Sequence, residues 1–219
     1  SFIDNITSNK IEIGLGNFGL PWNHVSSLFF LHSLFKLPFT GDYYYFIGPA
    51  SILVFVNTIL IKYIFDISKN NRIDLKNFLS LLFFLFINIF FYRLAEHGTD
   101  RSAQILILLI FLLLFEIRKK NILIKNKLEN FKIILTLIIS IKSFYVIYII
   151  LFGAIFLKFN EVKIFFKNYK IFYCSFIFGF LILLYNVAYT GCLVYPIIQT
   201  CFDAFYWSMD SSEIIASMN

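Results

Sequence analysis

A dense group of polar side chains lies between two apolar stretches, in the segment Arg93–Arg101 (RLAEHGTDR). Arginine binds phosphate oxygens well, and a carboxylate or an imidazole can accept a proton. We therefore take Asp100 and His97 as candidate catalytic residues. The candidate substrate-binding residues of the same segment are Arg93, Arg101 and Glu96. The simpler alternative is a solvated, salt-bridged turn in which Asp100 caps the next helix.

Lys142 lies in the middle of the longest apolar stretch, Phe131–Leu157. A lysine at mid-membrane depth is costly unless it reaches water or a partner. The stretch is therefore either a hairpin of two short helices turning near Ser140–Ser143 (SIKS), or one long tilted helix whose lysine faces a polar groove. Each arm of the hairpin would be about 18 Å long, too short to cross a bilayer of roughly 30 Å. We favour the hairpin and take Lys142 as a candidate phosphate contact.

Further polar residues lie near the two ends of the chain. Asn23 and His24 begin a predicted short helix, Asn23–Lys36, and are candidate substrate contacts, although a structural role is the simpler interpretation for His24 and for His32 of the same helix. Cys192 and Cys201 flank LVYPIIQT and could form a disulfide on the outer face of a membrane, where disulfides persist. The sequence holds no zinc signature, and it identifies no cofactor. Whether a divalent metal takes part is left open.

The composition is that of a membrane protein. Hydrophobic residues make up 59% of the chain, charged residues 15%, and the mean hydropathy is +0.79. A soluble domain of this length could not bury so much apolar surface. We predict an all-α, polytopic membrane protein with about four full spans, the short re-entrant hairpin and short interfacial helices on the outer face. The predicted spans are Tyr44–Phe65, Leu75–Tyr92, Ser102–Ile117 and Ile171–Tyr189.

The basic residues predict the orientation. The net charge of +6 comes from short loops between apolar stretches, which argues for membrane topology and against nucleic-acid binding. Loops Asp66–Lys76 and Arg118–Lys132 should be cytoplasmic, which places Arg93–Arg101 outside. The hairpin would return Lys158–Lys170 to the cytoplasm. Residues 1–219 are then one multi-pass domain of the bacterial inner membrane: an outer segment 1–43, spans over 44–189, and an outer loop 190–219 that begins a truncated region.

Several motifs, in their order along the chain, resemble a group of bacterial envelope proteins related to the GT-C glycosyltransferases. The motifs are GLGNF at Gly14–Phe18, NHVSS at Asn23–Ser27, EHGTDRSAQIL at Glu96–Leu106, SIKS around Lys142, and TGCLVYPIIQTCF at Thr190–Phe202. Together they cover most of the chain. The resemblance implies sugar transfer from a polyprenyl-phosphate sugar on the outer face of the membrane. It also implies that the usual acidic catalytic loop precedes Ser1, so that the chain is a fragment.

We therefore expect the protein to act in the assembly of cell-envelope polysaccharide. The expected activity is that of a GT-C-like glycosyltransferase or a related enzyme, with membrane lipid and a polyprenyl-phosphate-linked sugar as partners. One rival is a transporter or flippase of a lipid-linked glycan, with Lys142 on its pathway. Another is a non-catalytic membrane scaffold in which Cys192–Cys201 braces an outer loop.

Overall fold

The computed structural model of the chain describes residues 13–14, 26–70, 74–90, 100–119, 125–151, 169–210, 212 and 214–215. These residues are mostly helical, which confirms the predicted all-α class. The α-helices are α1 (Ser27–Leu34), α2 (Tyr44–Asn70), α3 (Leu75–Phe90), α4 (Asp100–Lys119), α5 (Lys125–Ile141) and α6 (Tyr169–Thr190). Short 3₁₀ segments lie at Gly41–Tyr43, Ser143–Ile149 and Ile198–Thr200.

Two of the helices are long and apolar enough to cross a membrane, through Tyr44–Phe65 of α2 and Tyr173–Thr190 of α6. Helix α3 is apolar but shorter. The prediction of four full spans is therefore not confirmed in the described part of the chain. The physical reasons are that α3 has only 16 residues and that α4 carries charged residues in its first and last turns, which shortens its apolar length.

Helix α4 forms the centre of the bundle. Leu106, Leu109 and Leu112 are fully buried in it, and Ala103 leaves room for a neighbour to approach. Helices α2, α3 and α5 pack around it. A helix that is apolar on all sides is one that is surrounded. By contrast, α3 and α6 each expose large apolar side chains on their outer faces, as membrane-facing helices do: Phe78, Leu85, Ile89, Phe176, Phe180 and Leu184.

Helices α5 and α6 run in the same direction. Thr136 of α5 lies beside Gly179 of α6, with 3.9 Å between the threonine methyl and the position of a β-carbon at the glycine. Near their C-terminal ends, both contact α1, a helix of only eight residues. Ser140 of α5 hydrogen-bonds to its Ser27 at 2.8 Å, and Tyr185 of α6 packs on its Phe30. The C-terminal ends of α5 and α6 therefore lie at the same end of the bundle.

The helical backbone is interrupted at Lys142. Helix α5 ends at Ile141, Lys142 is extended (φ −148°, ψ 113°), and the 3₁₀ segment starts at Ser143. The break lies where the predicted hairpin should turn and disagrees with one long helix over Phe131–Leu157, but α5, with 17 residues, is longer than the predicted arm of about 18 Å. Residues 152–168 of the predicted second arm and basic loop lie outside the described residues.

The bundle has two ends, which we name after Asp100 and Glu116, the charged residues near the two ends of α4. The Asp100 end holds Asp100, Lys142, Ser140, the start of α2 and the disulfide loop that follows α6. The Glu116 end holds Glu116, Lys76 and Lys127. At the Asp100 end, helix α1 is shorter than predicted, and Ser26 caps it by accepting a hydrogen bond from the N–H of Leu28 at 3.3 Å.

Candidate functional site

The structure brings Asp100 and Lys142 together. The ammonium of Lys142 donates a hydrogen bond to Oδ1 of Asp100 over 2.5 Å, and the two residues are 42 positions apart. Asp100 is the first residue of α4, where a carboxylate also interacts favourably with the helix dipole. Lys142 can reach it because the extended backbone at the helix break releases its side chain from α5. The two candidates from separate parts of the sequence thus form one site.

A second set of contacts adjoins this pair. Arg101 donates a hydrogen bond to Oε1 of Gln104 at 3.1 Å, between neighbours one turn apart on α4. The side chain of Gln104 also lies within hydrogen-bonding reach of Tyr145 on the 3₁₀ segment. The segment after the helix break therefore contacts the N-terminal part of α4 at two points, through Lys142 and through Tyr145.

The pair is only partly shielded from solvent. The side chain of Asp100 is 42% exposed and that of Lys142 is 24% exposed. Among the described residues, the Asp100 carboxylate accepts a hydrogen bond from Lys142, and its exposed fraction leaves it open to an approaching group. With Arg101 beside it, the site carries two cations and one carboxylate. Such a site can hold a phosphate through the cations and accept a proton on the carboxylate.

The other candidates cannot be placed in the same way. Arg93, Glu96, His97, Asn23 and His24 lie outside the described residues, so their roles remain predictions. Sequence reasoning overlooked two residues of the site. The first, Gln104, could have been found from its spacing of three positions after Arg101 on a helix, whereas Tyr145 gave no such signal.

His32 lies in a tightly packed apolar position of α1. Its side chain is buried, and neither ring nitrogen has a hydrogen-bond partner among the described residues. Burial lowers the pKa of His32, which keeps the ring neutral. A β-carbon at Gly48 would lie 2.7 Å from its Nε2, so the glycine lets α1 approach α2 closely. This arrangement agrees with the structural role that the sequence suggested for the histidines.

A disulfide joins Cys192 and Cys201, with a sulfur–sulfur distance of 2.02 Å. The two residues also face each other in an isolated antiparallel bridge. The loop folds back on the end of α6: the Trp207 indole N–H donates to the carbonyl of Val187, and the N–H of Met209 donates to that of Thr190. The predicted candidate pair is thus bonded in the structure, at the Asp100 end of the bundle.

A second ion cluster lies at the opposite end of α4. Glu116 forms salt bridges with Lys76, at 3.0 Å, and with Lys127, and it accepts a hydrogen bond from the Tyr63 hydroxyl at 3.2 Å. The ammonium of Lys76 also lies 3.5 Å from the centre of the Tyr63 ring. The cluster links α2, α3, α4 and α5. The Glu116 side chain is only 10% exposed, so this cluster is closed to ligands.

A family model described as "Domain of unknown function (DUF8201)" matches residues 7–219. The chain belongs to this family. The DUF8201 match includes every candidate site residue, from Asn23 to Cys201. No curated protein and no solved structure matches the chain. Among the described residues of this DUF8201 protein there is no group of three or more histidine, cysteine, aspartate or glutamate side chains that could hold a metal ion.

Proposed function

We propose that this protein is a GT-C-like glycosyltransferase or a related enzyme that acts on lipid-linked sugars at the outer face of the bacterial inner membrane, in envelope polysaccharide assembly. The observation that carries the proposal is the ion pair between Asp100 and Lys142, with Arg101 beside it, at a partly open end of an apolar bundle. The residues meet the needs of a reaction in which a phosphate leaves and a hydroxyl loses a proton.

Two features support placing the Asp100 end outside. It carries the Cys192–Cys201 disulfide, and disulfides persist in oxidising compartments such as the bacterial periplasm. The Glu116 end carries Lys76 and Lys127, beside the basic loops that the positive-inside rule assigns to the cytoplasm. Redox environment and charge distribution, which are independent of each other, therefore favour the same orientation.

In the proposed reaction, Lys142 and Arg101 bind the phosphate oxygens of a polyprenyl-phosphate sugar. The ammonium of Lys142 then turns from Asp100 toward the phosphate, which frees the carboxylate. Asp100 takes the proton of the acceptor hydroxyl as its oxygen attacks the anomeric carbon from the face opposite the phosphate. The bond between that carbon and the phosphate oxygen breaks, and the two cations stabilise the departing lipid phosphate. The sugar is transferred with inversion.

Sugar transfer in membranes that hold the full-length protein tests this function. The membranes are supplied with a panel of radiolabelled polyprenyl-phosphate sugars, and incorporation into envelope polysaccharide is measured. Loss of the proton acceptor in Asp100→Asn should lower transfer by about 100-fold or more. Arg101→Ala should also lower it, by weakening phosphate binding. Asp203→Asn, which changes an exposed carboxylate of the disulfide loop, is the matched control and should leave transfer unchanged.

Full transfer activity in both Asp100→Asn and Arg101→Ala would contradict this site.

A second candidate function, transport of a lipid-linked glycan, is favoured by one observation: the helix break that exposes Lys142 at an end of the bundle. Lys142→Met separates the two functions. Loss of glycan translocation with full sugar transfer would support the transporter, whereas loss of sugar transfer itself would support the enzyme.

A further inference from the structure

The last residue of α1 and the loop that follows it display an unusual run of exposed apolar side chains. All residues from Leu34 to Phe39 (LFKLPF) are exposed, with Leu34 at 75% and Phe39 at 83%. Isolated apolar residues at a surface are ordinary, but a contiguous exposed patch of this kind marks an interaction site. We call these six residues the 34–39 loop.

The 34–39 loop is held in one shape by Thr40. The Thr40 hydroxyl lies 2.8 Å from the carbonyl oxygen of Leu37 and 3.1 Å from that of Phe35, and it accepts a hydrogen bond from the N–H of Leu37 at 3.1 Å. The main-chain N–H of Thr40 also donates to the carbonyl of Leu37 at 3.1 Å. Because these bonds satisfy main-chain polar groups within the loop, the loop keeps its shape without a partner, and its apolar side chains can point outward.

The position of the 34–39 loop indicates what covers it. Tyr44, five residues after Phe39, begins the candidate span Tyr44–Phe65. That helix continues the exposed apolar surface through Phe46 and Phe55, which are each 50% exposed. A patch that is continuous with a membrane-facing helix, and that lies just before its first residue, is at the level of the lipid headgroups. Lys36, in the middle of the loop, suits that level because a lysine stem can bury its methylenes while its ammonium contacts lipid phosphates.

We propose that the 34–39 loop inserts into the outer leaflet at the boundary between headgroups and acyl chains, as a second membrane contact of the protein. The partner is the lipid surface itself, and the inserted side chains are Leu34, Phe35, Leu37 and Phe39. This inference rests on the proposed outer-face location of the Asp100 end and on α2 as a span. It does not depend on the sugar-transfer activity, which concerns a different set of residues.

Depth-dependent quenching of tryptophan fluorescence tests the insertion. The full chain, with Trp22 and Trp207 both changed to Phe, is reconstituted in vesicles of phosphatidylethanolamine and phosphatidylglycerol. Single tryptophans are then introduced as Phe39→Trp in the loop, Phe180→Trp on the exposed face of α6, and Asp203→Trp on the disulfide loop. Lipids brominated near the headgroup should quench Phe39→Trp at least about twofold more than lipids brominated deep in the acyl chain. Leu37→Trp repeats the measurement at a second position of the loop.

The control positions make each outcome decisive. We expect Phe180→Trp to be quenched by deep bromines and Asp203→Trp to be quenched weakly by either lipid. If Phe180→Trp is quenched while Phe39→Trp and Leu37→Trp are not, the protein is in the bilayer and the loop insertion is wrong. The same holds if the loop tryptophans emit at the short wavelength of a buried site without quenching, because protein would then cover them. If Phe180→Trp is not quenched, the membrane location fails as well.

Discussion

The two ends of α4 each carry a carboxylate paired with lysine, yet the two sites differ in what they can do. Asp100 and Glu116 lie sixteen residues apart, so roughly 24 Å of helix separates them. Glu116 is 10% exposed and holds two lysines and a tyrosine hydroxyl, which come from three other helices. Asp100 is 42% exposed and holds one lysine, which comes from a break between two segments.

The difference in exposure and in number of donors separates a structural ion cluster from a candidate site. A nearly buried carboxylate that binds three protein donors links elements and leaves little room for a ligand. A carboxylate that is half-exposed and bound to one movable ammonium can exchange that partner for a substrate. Charge alone does not distinguish the two ends, because at each end a carboxylate is paired with lysine. The exposure of the carboxylate and the number of its hydrogen-bond donors distinguish the two ends.

The largest expected contrast is in the side of the membrane that each end faces. With Cys174 changed to Ser to remove the free cysteine, Asp203→Cys at the Asp100 end should react with a membrane-impermeant maleimide added to intact cells. Lys127→Cys at the Glu116 end should react only after the cells are opened, because the impermeant reagent cannot reach the cytoplasm. Labelling of Lys127→Cys in intact cells would overturn the proposed orientation.

Next in size is the effect of Glu116→Gln on stability. Two partly buried lysines would lose their counter-charge, and breaking such a cluster costs about 2–4 kcal/mol after allowance for the water that lysine ends can reach. The melting temperature of the purified protein in detergent should fall by roughly 5–10 °C. Asp203→Asn is the matched control and should melt like the wild type. An unchanged melting temperature for Glu116→Gln would show that the cluster does not link the helices.

A smaller loss is expected at the disulfide loop. Cys192→Ser with Cys201→Ser removes a cross-link that closes a short loop, which the loop-closure model rates at about 2–3 kcal/mol. This loop lies at one end of the bundle, so the loss should be local and should appear as faster proteolysis after α6 rather than as a lower melting temperature. A mass-spectrometric map of the cleavage sites measures it. Equal cleavage in the variant and the wild type would contradict a bracing role.

The smallest effect on stability is expected for Asp100→Asn. A partly exposed ion pair contributes about 0.2–1 kcal/mol, so the melting temperature should change by no more than roughly 1–3 °C. Together with a large loss of sugar transfer, this would set the Asp100 end apart from the Glu116 end. A fall in melting temperature as large as that of Glu116→Gln would place both carboxylates in the same structural class.

The sequence was most informative where a residue contradicts its surroundings. Lys142 within an apolar stretch predicted a turn near Ser140–Ser143, and α5 does end at Ile141. The position of the break could be predicted because the cost of a lysine among apolar residues depends only on its neighbours in the sequence. Its partner could not be predicted, since Asp100 lies 42 positions away and meets Lys142 only through the packing of α4 against α5.

The sequence was least informative about which apolar helices face lipid. Hydropathy made Ser102–Ile117 a span like the others, whereas the structure surrounds α4 with three helices and exposes α3 and α6 instead. An apolar residue has the same hydropathy whether lipid or protein covers it. The Glu116 cluster was overlooked for a related reason: Glu116 was counted within a span and its lysines within loops, although together they form one structural link.

The pairing of Asp100 with Lys142 also imposes an order on biosynthesis. Asp100 leaves the ribosome 42 residues before Lys142, or roughly 2–8 s earlier at ordinary rates of synthesis. In the proposed orientation, Lys142 has to be carried to the outer face at the end of α5, whose 17 residues make roughly 25 Å of helix. A carboxylate already on the far side is the group that can receive it. In the proposed orientation, the ion pair would favour the insertion of α5 before it takes any part in chemistry.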